Sequence, residues 1–209
     1  MANVPLLDLH GNYKCSRDRS RLYTGNLEEL LIPVVETVVF NKAGLILLQK
    51  RGKKRDYAGE VFPFHGGLGD DRDLIGAPGY EEIDWKRAAI RELKGETSIN
   101  ADPKELKHLG TYITTFGKDK KYAFAVFYGL HYEQKTHGPV VIDKKEVEDL
   151  WWETVKDSKS FFDFIEGKGI SRKIYSSVKE MSKRIERKAH GPIWSRLYSK
   201  LKGKTNLYY

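Results

Sequence analysis

Two glutamates spaced four residues apart are the residues of this chain best suited to chemistry. Glu92 and Glu96 lie within the segment KRAAIRELKGETSIN, whose apolar residues recur at helical spacing. Both carboxylates therefore project from one face of a predicted helix. Carboxylates held close together repel each other, and a bound divalent cation relieves that repulsion. Because oxygen ligands suit Mg²⁺ or Mn²⁺, which also bridge to substrate phosphates, the spacing indicates a metal site for phosphate chemistry.

The elements around this helix decide how much weight the spacing carries, since glutamates on a solvated helix face commonly pair with lysine and arginine. Two apolar runs, PVVETVVFN and AGLILLQKR, flank the turn NKAG and predict a β-hairpin. EVFPFHGG predicts a short strand that enters a Gly/Asp-rich loop. Downstream, LKHLGTYITTF and KYAFAVFYGLHY predict two strands, the second of them central. This order of elements predicts an α/β or α+β domain with a mixed sheet.

In that order and context the chain resembles a Nudix domain. The family's box reads G-x5-E-x7-R-E-U-x-E-E-x-G-U, with U an aliphatic residue, and RELKGETSI follows its second half. The phrase LLQKR, the two glycines after FPFH and the late acidic segment EVEDLWW also match typical family segments. The resemblance covers residues 34–156. It implies a mixed β-sheet sandwiched between helices, to which we add a predicted helical C-terminal extension.

The chain departs from the box at several positions. Gly95 stands where the box has the first of two adjacent glutamates, and Ser98 stands where it has glycine. Residues 68–80 form an insertion between Gly67 and the glutamates Glu81 and Glu82. One missing acid indicates a thinned metal site, for which a third carboxylate must come from elsewhere.

The resemblance implies metal-dependent hydrolysis of a diphosphate linkage in a nucleoside diphosphate derivative. By carry-over, Glu92 and Glu96 hold Mg²⁺ or Mn²⁺ and take part in catalysis. The third carboxylate is expected from Glu82, Glu81, Glu146 or Glu148, and Glu82 is the predicted third ligand. Arg91 is expected to orient a glutamate through an ion pair. The implied substrate is a nucleotide-type small molecule.

Further roles are predicted for residues outside the helix. In this family the general base often lies in a late loop, which makes Glu146 and Glu148 the candidates. Four residues are predicted to bind substrate: Arg51, Phe64, Gly66 and Gly67. The acidic stretch DDRD at 70–73 could reach a metal if its loop folds over the site, although a solvated loop is the favoured interpretation.

The formal net charge of +8 is concentrated near the C-terminus. Basic residues after Ser171 are interleaved with aromatics, a composition that suits RNA through phosphate contacts and stacking. A helix that packs its apolar stripe on the domain and leaves its charges in solvent is favoured over that interpretation. The predicted organisation is an N-terminal extension at 1–32, a Nudix-like domain at 33–166 and a basic helical extension at 167–209. A homodimer is compatible with the sequence.

Composition narrows the class of protein further. The single cysteine, Cys15, excludes an internal disulfide framework. The sequence shows no apolar run of transmembrane length and no signal-peptide pattern, which predicts a cytoplasmic protein without a membrane partner.

Gly95 keeps open an alternative, a Nudix-fold nucleotide- or RNA-binding protein with weakened catalysis. An isopentenyl diphosphate isomerase is disfavoured because that family needs a cysteine where this chain has FPFHGG.

Overall fold

The structure is a computed structural model that describes residues 3–22, 27, 30–53, 58–59, 61–116 and 121–154. Its strands are β1 (Asn3–Leu7), β2 (Tyr13–Asp18), β3 (Ile32–Asn41), β4 (Leu45–Arg51), β5 (Val61–Phe62), β6 (His65–Leu68), β7 (Leu74–Ile75), β8 (Glu82–Ile83), β9 (Lys107–Phe116), β10 (Lys121–Tyr132) and β11 (Val147–Thr154), and its helices are α1 (Trp85–Thr97) and α2 (Gln134–His137). Single 3₁₀ turns span Arg19–Leu22 and Asp71–Asp73. The helical extension predicted after residue 166 lies outside the described residues.

The central sheet is mixed, as the sequence predicted. Its strand order is β11-β4-β3-β10-β9, with β5 added to β4 and β6 added to β3. β10 runs parallel to β3, and the other pairs are antiparallel. β3 and β10 are rich in β-branched and aromatic residues, which suit strands with closely packed neighbours. The prediction of a mixed α+β fold with β10 inside the sheet is confirmed.

Helix α1 packs on this sheet through a small apolar stripe. Ala88, Ala89 and Leu93 are fully buried in one cluster with Val35 and Leu130, and full burial of a leucine side chain stabilises a fold by about 1.5–3 kcal/mol. The Asp84 side chain caps the helix by accepting a hydrogen bond from the Arg87 N–H at 3.0 Å. The helix ends at Ser98, whose φ of 59° is left-handed.

The segment EEIDWKRAAIRELKGE, residues 81–96, has the pattern of one amphipathic helix, but the structure starts α1 at Trp85. The difference has a non-local cause. Glu82 and Ile83 form β8, which pairs with Ile75 and Leu74 of β7, so the backbone hydrogen bonds of this segment go to a strand within the insertion. Only a residue after this hairpin can begin the helix.

The N-terminal residues form a hairpin that packs on the domain. β1 pairs with β2, and Leu7 and Leu31 exchange backbone hydrogen bonds of 2.9 and 2.7 Å. Val4 and Leu6 are buried in one cluster with Ile32, at the start of β3. The hairpin also contacts the turn Asp71–Asp73, through a 2.5 Å hydrogen bond from Ser16 Oγ to Asp71 Oδ1. No helix in the described part of the chain is long and apolar enough to cross a membrane.

Candidate active site

Strand β6 brings a glycine pair between β3 and α1. Gly66 lies opposite Glu36 in the β3–β6 register. A Cβ atom on Gly66 would lie 2.0 Å from the Val35 carbonyl oxygen and 2.8 Å from Glu36 Oε2, and one on Gly67 would lie 2.7 Å from Glu92 Oε2. Gly66 therefore requires glycine, whereas a side chain on Gly67 would displace the Glu92 carboxylate. The missing side chains let carboxylates from the sheet and from the helix approach the same dipeptide.

Glu96 is the most enclosed of these carboxylates, with 1% of its surface exposed. Its Oε2 accepts hydrogen bonds from Gln49 Nε2 and from the Gly66 N–H, both at 3.1 Å, and its Oε1 accepts from Arg51 Nη1 at 3.0 Å. Burial raises the Glu96 pKa to about 8; Arg51 opposes this rise, and the charges of other nearby glutamates add to it. A second positive charge beside Glu96 would therefore be favourable.

Glu92 lies one helical turn earlier and is held by its neighbour in sequence. Arg91 Nη1 donates a short hydrogen bond to Glu92 Oε1. Burial raises the Glu92 pKa, Arg91 opposes the rise, the charge of Glu146 adds to it, and that of Arg19 opposes it. The described arrangement thus places the Glu92 carboxylate between an arginine and further acids.

Arg91 is fixed in turn by Asp73, a fully buried residue. Arg91 Nη2 donates to Asp73 Oδ2 at 2.6 Å, and Arg91 Nε donates to Asp73 Oδ1 at 3.1 Å. Nη2 also donates to the Leu68 carbonyl at 3.2 Å. Such two-pronged contacts hold a guanidinium in one orientation, so Asp73 aims Arg91 at Glu92.

Asp73 occupies the position of the box's first acid. Five residues separate Gly67 from Asp73, as in G-x5-E, so the extra residues follow this acid and do not precede it. The box has a glutamate at this position, so a match to glutamate alone overlooks the aspartate. The spacing of five residues from Gly67 identifies it. Glu82, the predicted third ligand, has an exposed side chain on β8, and no described contact joins it to the helix carboxylates.

Glu36 is an acid near the helix carboxylates that the sequence analysis did not identify. It lies in the middle of β3, within the apolar run VVETVVF. Burial raises its pKa to about 8; Arg51 opposes this rise, and the charge of Glu92 adds to it. The available signal was a single carboxylate inside a strand of β-branched residues, where a charge is costly unless it has a function or a partner.

The two candidate bases, Glu146 and Glu148, interact with different groups. The charge of Glu146 raises the pKa of both Glu92 and Glu96, and its backbone carbonyl accepts from the Gly52 N–H at 2.9 Å. Glu148 Oε1 accepts from Lys50 Nζ at 2.8 Å, a contact that lowers the Glu148 pKa. The structure thus brings Glu146 toward the helix carboxylates and pairs Glu148 with a lysine.

A family model described as the NUDIX domain matches residues 30–174, more than half of the chain. The chain belongs to the Nudix family. Comparison of the sequence with curated proteins finds no match.

Solved structures share the Nudix fold at low sequence identity. A MutT protein from Methanosarcina mazei Go1 is 18% identical, with a TM-score of 0.52 over 79% of this chain and 100% of its own. A Deinococcus radiodurans protein is 12% identical, with a TM-score of 0.56 over 81% and 91%. The Nudix domain of NrtR from Shewanella oneidensis, solved with ADP-ribose, is 14% identical, with a TM-score of 0.51 over 83% and 99%. At these identities the likeness shows the fold alone.

The residues predicted to bind substrate have distinct places in this Nudix domain. Gly66 and Gly67 line the carboxylates. Arg51 pairs with Glu96, and its guanidinium lies 5.8 Å from the centre of the Phe62 ring. Phe64 is only 7% exposed and packs edge-on against Phe127. Burial of this ring removes a large apolar surface from water. The ring therefore belongs to the core and is not placed to stack on a base.

The donor chemistry of the site fits a divalent cation, although the ligands are not gathered in advance. Among the described residues, no three His, Cys, Asp or Glu side chains converge closely enough to hold a metal ion as they stand. In this arrangement Glu96 is paired with Arg51, and Glu92 is paired with Arg91. The acids themselves offer only oxygen ligands, which suit Mg²⁺ or Mn²⁺.

The raised pKa values predict an unusual dependence of stability on pH when metal is removed. Glu36 and Glu96 titrate near pH 8 in the folded protein, against an ordinary value of 4.5. Between those values the folded chain binds more protons than the unfolded chain, so the free energy of unfolding falls as pH rises. Urea unfolding in EDTA from about pH 5 to about pH 8 should show this fall, and E96Q should flatten it while D149N, on the exposed Asp149, should not. A flat wild-type curve would contradict the prediction.

Proposed function

We propose that this Nudix protein is a metal-dependent hydrolase that cleaves a diphosphate linkage in a nucleoside diphosphate derivative. The observation that carries the proposal is the meeting of Glu92 and Glu96 at the side-chain-free pair Gly66–Gly67. This arrangement supports ion binding beside an open stretch of backbone, where phosphate oxygens can approach. A bound Mg²⁺ or Mn²⁺ supplies polarisation of a phosphoryl oxygen.

The protein's own groups position the reaction. Glu92 and Glu96 would hold the ion, with Arg91 aiming the first and the Gly66 N–H fixing the second. Arg51, which pairs with Glu96 beside the ion-binding carboxylates, carries a planar guanidinium that would suit a phosphate group of the substrate. These contacts order both reactants before any bond changes, which lowers the entropic part of the barrier.

Glu146 is the proposed general base. A water molecule attacks one phosphorus atom, and the bond from that phosphorus to the bridging oxygen breaks. The Glu146 carboxylate takes the proton of the water, and the other phosphate leaves with the bridging oxygen. The choice of Glu146 is supported by its electrostatic influence on Glu92 and Glu96, and by the engagement of Glu148 with Lys50.

The assignment of the base gives a paired prediction. E146Q should lower kcat by about 10²–10⁴-fold, the usual contribution of a general base. E148Q should leave kcat within about twofold, because a surface ion pair contributes little. Steady-state kinetics across pH on both variants measures this. The reverse pattern would transfer the role to Glu148.

The activity itself is tested with a substrate panel under Mg²⁺ or Mn²⁺. Nucleoside triphosphates, capped RNA and ADP-ribose belong in the panel, the last because the NrtR domain of similar fold was solved with it. Turnover of at least one compound is expected, abolished by EDTA and restored by excess Mn²⁺. Nucleotide binding without turnover under either metal would favour the weakened-catalysis alternative, which Gly95 motivates. The proposed RNA contact belongs to residues outside those described, and deleting 171–209 tests it separately.

A further inference from the structure

Helix α1 provides one acid fewer than the Nudix box, and nothing on the helix replaces it. Gly95 is exposed, and a Cβ atom at this position would meet no other atom within 4 Å. The side of the helix where the box places its extra glutamate is therefore open in the described structure. A third carboxylate for the cation must come from another element.

Glu36 is the acid that the sheet brings to this place. In the β3–β6 register it lies opposite Gly66, and its Oε2 lies 2.8 Å from the position that a Cβ atom on Gly66 would occupy. The Gly66 N–H of the same dipeptide donates to Glu96 Oε2, and Glu92 Oε2 lies 2.7 Å from the position that a Cβ atom on Gly67 would occupy. One carboxylate from the sheet and two from the helix thus surround a single pair of glycines.

The surroundings of the Glu36 carboxylate favour binding of a further positive charge. Among the described residues, no group donates a hydrogen bond to it, and its neighbours include Glu92 and Glu96 as well as Arg51. A partly buried carboxylate with two other acids nearby attracts a positive charge in addition to that of Arg51. Arg51 is committed to Glu96 at 3.0 Å, which leaves room for a further cation.

Two buried polar atoms beside Glu96 point independently to the same deficit. His65 is fully buried, and its Nε2–H donates to the Leu47 carbonyl at 3.1 Å, so its Nδ1 is a bare acceptor. This Nδ1 has no hydrogen-bond partner and lies 3.8 Å from Glu96 Oε2. Gln49 uses its Nε2 for the Phe64 carbonyl and for Glu96, which leaves its Oε1 as a second unpartnered acceptor. The pocket has more hydrogen-bond acceptors than donors, and a cation would compensate this excess of acceptors.

We propose that Glu36 is the third carboxylate of the divalent-cation site, in place of the acid that helix α1 lacks at Gly95. This inference rests on the proposed metal dependence and deepens it. A sheet carboxylate thereby completes a ligand set that the helix alone leaves short.

The first test measures Mn²⁺ binding to the full chain by electron paramagnetic resonance, without substrate. E36Q should weaken Mn²⁺ binding by at least about 10-fold, since even indirect support of a metal ligand contributes 10–100-fold. D149N removes an exposed acid on β11 and should leave affinity within about twofold of wild type. In EDTA, E36Q should melt no lower than wild type, because the carboxylate has no donor to lose; added Mn²⁺ should raise the melting temperature of wild type more than that of E36Q.

The second test moves the acid back to the helix. The double variant E36Q/G95E should recover most of the Mn²⁺ affinity, because position 95 is open and a glutamate fits there. E36Q/G95A is the matched control: it removes the helix penalty of glycine without adding a carboxylate, and it should bind as weakly as E36Q. Recovery in both variants would show helix stabilisation and overturn the proposal.

The possible results separate the inference from the function beneath it. If wild type binds Mn²⁺ and turns over substrate while E36Q binds Mn²⁺ equally well, the assignment of Glu36 is overturned and the hydrolase stands. If wild type binds no Mn²⁺ and shows no turnover, the proposed function fails, and the Glu36 site fails with it. Should E36Q not fold, E36D shifts the carboxylate back toward the strand, and Mn²⁺ affinity equal to wild type would then contradict the proposal.

Discussion

Replacing Glu96 with glutamine is expected to lower kcat/KM by at least about 100-fold. The carboxylate is the centre of the site, where Arg51, Gln49 and the Gly66 N–H all donate to it. Loss of its charge weakens ion binding, and a catalytic metal supplies several kcal/mol of charge stabilisation in the transition state. Since each 1.36 kcal/mol is a factor of ten, loss of about 3 kcal/mol accounts for the expected effect.

The matched control for E96Q is K94Q on the same helix. Lys94 is exposed, and its replacement changes the net charge by one unit without touching the pocket. K94Q should keep kcat/KM within about twofold, and both variants should show the helical signal of wild type in circular dichroism. E96Q with wild-type turnover in Mg²⁺ would remove Glu96 from the site altogether. Raising Mn²⁺ should recover part of the E96Q activity, because weakened binding is offset by mass action.

Local pattern predicted the helix acids because their spacing lies within one turn of chain. Glu92 and Glu96 are close in sequence, so helical periodicity alone places them together. Glu36 has no such signal: it is 56 residues before Glu92 (92 − 36), and only the pairing of β3 with β6 brings it to Gly66. A motif search confined to the box cannot detect a carboxylate supplied from outside it.

The other differences from the sequence prediction also have non-local causes. The sequence predicts that Phe64 binds substrate, but its ring is buried and packs against Phe127. Asp73 was assigned to a solvated loop because its run of acids is polar. Only the partner on α1 shows why it is buried, since Arg91 compensates its charge at 2.6 Å. In both cases the deciding contact is made by a residue distant in sequence.

That contact gives the second large prediction, which concerns stability. R91A should lower the free energy of unfolding by about 3–5 kcal/mol, the usual cost of leaving a buried charge without its partner. Asp73 is fully buried, and its only other described side-chain contact is the Asp70 N–H at 2.9 Å. Urea unfolding measures the change. The control R87A removes an exposed arginine from the same helix and should change stability by less than about 0.5 kcal/mol.

A double-mutant cycle separates the ion pair from ordinary loss of packing. D73A/R91A should be destabilised by less than the sum of the single variants, with a coupling of about 0.5–3 kcal/mol, because the double variant leaves no Asp73 charge buried without Arg91. Additive single effects would mean that the two side chains act independently. R91A should also weaken Mn²⁺ binding, since Arg91 donates to Glu92, whereas D73N keeps the shape of the aspartate and should weaken it less. The Asp73–Arg91 pair thereby links the folding of the insertion to the orientation of Glu92, the proposed metal ligand.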